Sequence, residues 1–248
     1  MIPARYGSTR FPGKPLALIL GEPMIVHVVR RAQEADCFST VAVATDDERI
    51  ATVAERAGAT AVITGEAASG TDRVAQAARS LDAEVIVNVQ GDEPALPPAS
   101  LRTLVSFLVG HPDVPMATLA LPADEGDLHN PTVVKVVCDA AGRALYFSRS
   151  LIPHPRNPVA GIHRKHVGLY GFRREALFAF SSWPECDIER CEGLEQLRAL
   201  YNGMPIHVLE AAGDSVAVDV PDDIARAEAA LERLGTGDRG PGSGDRPR

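Results

Sequence analysis

Long apolar runs, cysteine and positive charge are all scarce in this sequence, and each shortage removes a class of protein. No stretch approaches the roughly 18 apolar residues of a membrane-spanning helix, so no membrane insertion is expected. The start, MIPARYGSTRFPGKP, has arginine and proline where a secretory leader needs an apolar core, which points to the cytoplasm. Four cysteines (Cys37, Cys138, Cys186 and Cys191) among 248 residues make no disulfide framework, in keeping with a reducing compartment. Zinc is poorly served too: Cys186 and Cys191 enclose four residues, His163 and His166 enclose two, and no Cys-x-x-Cys pair accompanies them. Lys and Arg total 25 against 33 Asp and Glu, a formal charge of −8, which argues against a non-specific nucleic-acid coat protein. A phosphate ligand therefore needs a local basic site. The motifs G-x-S-x-G and H-E-x-x-H are absent, leaving hydrolase and zinc-peptidase readings without support.

What is present is an ordinary globular composition, 45% apolar and 23% charged, long enough for one substantial domain. Residues 1–234 are expected to form that domain. The final 14 residues, GTGDRGPGSGDRPR, hold no apolar side chain and are expected to be a disordered tail. In the first half, short β-branched runs alternate with amphipathic helical patterns, which predicts a parallel sheet flanked by helices. VAVAT (41–45) reads as a strand, with Asp46, Asp47 and Glu48 suited to the first turn of a helix that Gly58 stops. AVIT (61–64) reads as the next strand, and Ser69 can cap the helix after it. VIVNV (85–89) is apolar enough for a central strand covered on both faces and ends in Gln90-Gly91-Asp92-Glu93-Pro94. The second half packs MATLAL (116–121), VVKVVCD (133–139), ALYFS (144–148) and HVGLYGF (166–172) closely, predicting an antiparallel or mixed extension with a hairpin loop at 139–143. A helix is expected over 192–202, with Leu194, Leu197, Ala199 and Leu200 as its apolar stripe and Glu195, Gln196 and Arg198 on its polar face. Strands IHVLEA (206–211) and VAVD (216–219) and a helix from Pro221 close the chain.

Three segments carry chemistry. Residues 3–16 form a Gly/Pro-punctuated loop with Arg5, Arg10 and Lys14, in which backbone amides and cations can wrap a polyphosphate. The loop is not a Walker A motif, since Gly7 and Gly13 enclose five residues and Pro15 follows Lys14, and such a turn can equally be just solvated. Asp92 stands beyond the carboxyl end of the most apolar strand, where open α/β sheets bind ligands, and Mg²⁺ is a hard cation that would suit its carboxylate. Asp219 closes the run VAV in the same way and either joins Asp92 or caps the last helix. Arg149, His166 and Tyr170 are the polar residues of otherwise apolar strands. By alternation His166, Gly168 and Tyr170 share one sheet face.

These segments, read in order, are specific. IPARYGSTRFPGKPL, VATDDERI, SGTDR, VIVNVQGDEP, NPTVVKVV, ALYFSRSLIP, HVGLYGFRR, LEQLRAL and VDVPDD resemble the 3-deoxy-manno-octulosonate cytidylyltransferase family, from Ile2 to about Leu234. The resemblance implies a Rossmann-like nucleotidyltransferase of GT-A-like mixed sheet, with its antiparallel extension serving sugar binding and dimerisation. It implies Mg²⁺-dependent transfer of CMP from CTP to the sugar acid Kdo for lipopolysaccharide-type glycans. Arg5, Arg10, Lys14, Ser69, Arg73 and Gln90 would bind CTP, with Arg10 and Lys14 also stabilising the departing pyrophosphate. Asp92 and Asp219 would bind the metal, and Arg149, His166, Tyr170, Glu195 and Gln196 the sugar, Arg149 as a partner for its carboxylate. A homodimer is implied as well. Family members carry several apolar residues before IPAR, whereas only Met1 and Ile2 precede Pro3 here, fewer than the about five of a usual strand, so the expectation is a start upstream of Met1. Two other functions fit the same residues: cytidylyl transfer to another 2-keto sugar acid, and nucleotide binding without turnover.

Overall fold

The structure is a computed structural model that describes residues 1–7 and 11–237. In the alternating half, β1 (Ile2–Ala4), α1 (Met24–Glu34), β2 (Ala42–Thr45), α2 (Glu48–Arg56), β3 (Thr60–Ile63), α3 (Gly70–Ala78) and β4 (Val85–Asn88) follow one another. Then come α4 (Pro98–Gly110), β5 (Met116–Pro122), the hairpin β6 (Lys135–Cys138) and β7 (Ala144–Ser148), and the long β8 (Arg164–Arg173). The chain closes with α5 (Arg174–Ser182), α6 (Asp187–Glu192), α7 (Leu197–Tyr201), β9 (Ile206–Glu210) and α8 (Ile224–Gly237). Residues 238–248 of the expected tail lie outside the described residues. No helix among the described residues is long and apolar enough to cross a membrane.

The alternating half folds as its punctuation directs. The Asp47 carboxylate caps α2 by accepting from the Arg49 amide, and Gly58, at φ 83°, provides the left-handed stop. Ser69 caps α3, its hydroxyl accepting from the Asp72 amide. β1, β2 and β3 pair in parallel, in the order β1-β2-β3. The Met1 ammonium donates to the Val87 carbonyl at 2.7 Å and the Val89 amide to the Met1 carbonyl at 2.9 Å, which brings β4 alongside β1. β4 pairs in turn with β8, the antiparallel spine of the extension β9-β5-β8-β6-β7. Alternation along these strands fills two apolar layers. Val87, Ala117, Leu119 and Leu169 pack with α1 and α4 on one face, while Ile86, Met116, Phe172 and Phe147 pack with α5 and α7 on the other.

Two expectations are corrected. The stretch 192–202 is not one helix: Gly193, at φ 63°, ends α6, residues 195–196 turn, and α7 begins at Leu197. Its supposed polar face is interior, with Gln196 2% and Arg198 6% exposed, because both side chains find partners or a cavity inside. VAVD forms no strand either. Val218 donates one backbone bond, to the Asp92 carbonyl at 2.9 Å, which suffices to bring Asp219 beside Asp92.

Gly91 is where β1 and the end of β4 meet. A Cβ there would stand 2.6 Å from the Pro3 carbonyl oxygen, a backbone atom that cannot swing aside. Gly91→Ala is expected to lose about 1–3 kcal/mol of stability in thermal melts. It should also weaken nucleotide binding in calorimetric titration, because the shifted strand carries the cationic loop.

Candidate active site

A cavity of about 250 Å³ opens at the carboxyl ends of β1 and β4, and Arg5, Lys14, Ser69, Arg73, Gln90, Asp92 and Asp219 all line it. The loop that follows β1 is bent for this purpose. Gly13, at φ 72°, donates its amide to the Tyr6 carbonyl at 2.9 Å and starts a 3₁₀ turn, Lys14–Leu16, in which Pro15 presets the backbone. The turn aims Lys14 inward. Its ammonium donates to Asp92 Oδ2 at 2.7 Å and lies 3.6 Å from Asp219 Oδ1. Two carboxylates distant in sequence thus reach one cation, and both remain partly open to the cleft, with side chains 28% and 48% exposed. The cap position of the closing turn is Val220 rather than Asp219, and the Asp223 carboxylate accepts from the Asp219 and Val220 amides. Arg10 lies outside the described residues.

The far wall is built on α3. Arg73, though it lines the cavity, spends its guanidinium on Asp46 Oδ2 at 2.6 Å and Thr64 Oγ1 at 2.5 Å, tying together the ends of β2 and β3. Behind Ser69 runs a buried polar chain. Asn88 Nδ2 donates to Thr71 Oγ1 at 2.9 Å, and the Thr71 hydroxyl donates to Glu195 Oε1 at 2.5 Å. Burial pushes the Glu195 carboxyl above its ordinary range, against the opposing pull of the Thr71 and Ser69 hydroxyls and of Arg198.

A second cavity, of about 400 Å³, adjoins the first, and His166, Tyr170 and Gln196 line it. The partition is the turn after β4: Asp92 faces the first cavity and Glu93 the second. Gln90 braces it, donating from Nε2 to the Gly168 carbonyl at 3.1 Å. That carbonyl is offered by a bulge in β8, where the register with β5 shifts between Val167 and Tyr170. His166 and Tyr170 still share a face, their rings 5.5 Å apart. Burial raises the Tyr170 hydroxyl well above its ordinary pKa, with Glu195 and Glu93 adding to the effect. Burial likewise raises Glu93 to about 7, with Asp92 contributing. Arg149 and Glu195 do not line this cavity. The Arg149 guanidinium points at backbone carbonyls, donating to Glu192 at 2.7 Å, Pro131 at 3.0 Å and Gly193 at 3.4 Å.

The Thr118 hydroxyl has one proton, and Leu169 O at 2.7 Å is its better acceptor, so His166 Nε2, 2.8 Å from Thr118 Oγ1, must be the donor there. Nδ1 is left as the ring's acceptor. Burial holds the His166 pKa down to about 3, against an ordinary 6.5. Its NMR signals are expected to show no titration between about pH 7 and pH 4. Because the folded pKa is the depressed one, the unfolded chain takes up the proton first. Stability should therefore fall as pH drops below about 6.5, and His166→Gln should remove that part of the slope.

Sequence reading missed Glu93, Lys165 and Ser215, all of which line the second cavity. Glu93 carried a usable signal, a second carboxylate at the same strand end as Asp92. Ser215 carried none, because its loop is placed by tertiary contacts alone.

The sequence profile described as cytidylyltransferase matches residues 1–206. The 3-deoxy-manno-octulosonate cytidylyltransferase of Anaeromyxobacter sp. (strain Fw109-5) is 51% identical over 234 residues, covering 93% of this chain and 95% of its own. That of Myxococcus xanthus (strain DK1622) is 49% identical, covering 95% and 96%. Among solved structures, a CMP:2-keto-3-deoxy-manno-octonic acid synthetase complexed with CTP superposes with a TM-score of 0.89 at 40% identity, covering 94% of this chain and 97% of that one.

Proposed function

The chain belongs to the cytidylyltransferase family, and from that premise we infer that it transfers CMP from CTP to 3-deoxy-manno-octulosonate (Kdo), giving CMP-Kdo and pyrophosphate. The observation that carries this reading is the convergence of Asp92 and Asp219 on Lys14 at the seam between a cation-lined cavity and a polar one. The carboxylate pair fits Mg²⁺, which takes one or two carboxylates and completes its shell with phosphate oxygens and water. Bound there, the ion would offset phosphate charge and acidify a coordinated hydroxyl.

The chain's own residues position and neutralise, which is most of what phosphoryl transfer asks of a protein. Arg5 and Lys14 face the triphosphate, and charge-assisted hydrogen bonds from them stabilise the pyrophosphate as it leaves. Ser69 and Gln90 border the nucleoside side. The acceptor sits against His166, Tyr170 and Gln196, with its anomeric 2-hydroxyl turned to the seam. That oxygen bonds to the α-phosphorus as the bond to the bridging oxygen of the β-phosphate breaks, and the hydroxyl proton passes to water. No protein nucleophile is required. In this reading residues 1–234 act as one unit, in the cytoplasm, for lipopolysaccharide-type glycans. The free thiols of all four cysteines support the compartment. The same reading includes a homodimer built on the second-half strands and the 192–202 segment, which light scattering would detect.

The test is a pyrophosphate-release assay with each of the four nucleotides, with Kdo or a sialic-type acid, and with Mg²⁺ or EDTA. Release is expected only with CTP, Kdo and Mg²⁺ together. Release with the sialic-type acid and none with Kdo would move the acceptor to another 2-keto sugar acid. CTP binding without release from either acceptor would favour a non-catalytic binder.

A further inference from the structure

Six side-chain nitrogen or oxygen atoms among the described residues are shut off from solvent without a hydrogen-bond partner, and three of them line the second cavity: Glu93 Oε2, Gln196 Nε2 and Ser215 Oγ. Buried polar atoms are nearly always partnered, so half of the orphans in one cavity marks a place where a ligand supplies the partners. The set is chemically mixed. A carboxylate oxygen accepts, an amide nitrogen donates, and a hydroxyl does both, which is the complement of a polyhydroxylated molecule.

Both new members are held in place by their neighbours. Glu93 follows Asp92 on the turn that divides the two cavities, and the Ser215 hydroxyl lies close enough to favour its charged form without reaching hydrogen-bond geometry. Ser215 sits on a strapped loop. Lys165 Nζ on β8 donates to Asp214 Oδ2 at 2.6 Å and pairs with Asp127 at 3.1 Å, while Asp214 Oδ1 accepts from the Ser215 amide at 3.0 Å.

We propose that Glu93 and Ser215 form a hydroxyl-reading subsite of the acceptor cavity, in which Glu93 Oε2 accepts from one hydroxyl of the sugar acid and Ser215 Oγ exchanges hydrogen bonds with another. The inference rests on the reaction assigned above. It makes the pair specificity-determining, since a site built to pair a substrate hydroxyl discriminates strongly against an acceptor that lacks it.

The test uses the full chain with Glu93→Ala, Glu93→Gln and Ser215→Ala. For each, the KM for Kdo, the KM for CTP and kcat are measured by pyrophosphate release, CTP binding by calorimetry and Tm by thermal melt. Glu93→Ala is expected to raise the KM for Kdo at least about tenfold, and Ser215→Ala several-fold, with CTP binding and Tm unchanged. Glu93→Gln, which keeps an acceptor oxygen, should recover most of the loss. Unchanged KM for Kdo in both alanine variants would overturn the subsite. So would a parallel loss of CTP affinity in Glu93→Ala, which would mean that Glu93 acts through Asp92. If Glu93→Ala fails to fold, Ser215→Ala decides alone. A wild-type chain inert toward Kdo would overturn the reaction and the subsite with it, whereas an active wild type with insensitive variants overturns the subsite only.

Discussion

Asp92→Asn is expected to lower kcat for pyrophosphate release by at least about 100-fold while the fold survives. Asparagine keeps the shape of the side chain and removes its charge, so the change tests charge placement rather than packing. The side chain is 28% exposed and its partner Lys14 also lies 3.6 Å from Asp219, so no buried cation is stranded and Tm should move little. The loss falls on turnover because the group acts where negative charge accumulates on the reacting phosphorus. A preorganised charge of that kind is worth about 3 kcal/mol or more in the transition state, which converts to the factor above. Titrating Mg²⁺ should restore activity only in part and at higher concentration, since one of two carboxylate ligands is gone. Near-wild-type kcat at the same Mg²⁺ requirement would remove Asp92 from the chemistry and leave Asp219 without its counterpart.

The parts of this site that were legible in the sequence are those fixed by local chemistry. A β-branched run followed by Gln-Gly-Asp-Glu announces a buried strand ending at a ligand site, and Ser69 ahead of a helical pattern announces a cap, because each signal is written within a few residues. Where the chain's polar groups are spent inside the protein, local reading failed. Gln196 and Arg198 look like the wet face of an amphipathic helix, yet Gly193 breaks that helix and turns both inward. Arg149, a cation at the end of an apolar strand, suits a ligand carboxylate, yet here three backbone carbonyls take it. The bulge at Gly168 was invisible because it adds two residues, which leaves His166 and Tyr170 on the same face as strict alternation does. Asp219 could be read two ways until its carboxylate was found 3.6 Å from the Lys14 ammonium that also holds Asp92.

Arg198→Met is expected to cost about 3–5 kcal/mol of stability. Arg198 is 6% exposed and its guanidinium faces Glu189, itself 4% exposed, with Nε–Oε2 at 2.9 Å and Nη2–Oε1 at 2.5 Å. It also lies 3.7 Å from Asp72 and 4.8 Å from the Phe180 ring centroid, so methionine can replace its packing but not its charge. What remains is a buried Glu189 carboxylate with no cation. For a domain of this size the loss corresponds to a fall in Tm on the order of 10 °C. The double variant Glu189→Leu/Arg198→Met should recover most of it, because replacing both partners of a buried pair by apolar groups is often neutral. Activity then separates two roles for the pair. Asp72 accepts from the Ser69 hydroxyl at 2.9 Å and from Ser181 at 3.1 Å, so Arg198 anchors the cap of α3 as well as α6. If the double variant regains Tm yet binds CTP more weakly, the ion pair is kept to hold the nucleotide wall in register. If it regains both, the pair only joins α6 to α7, and the alignment of Ser69 comes from the helix itself.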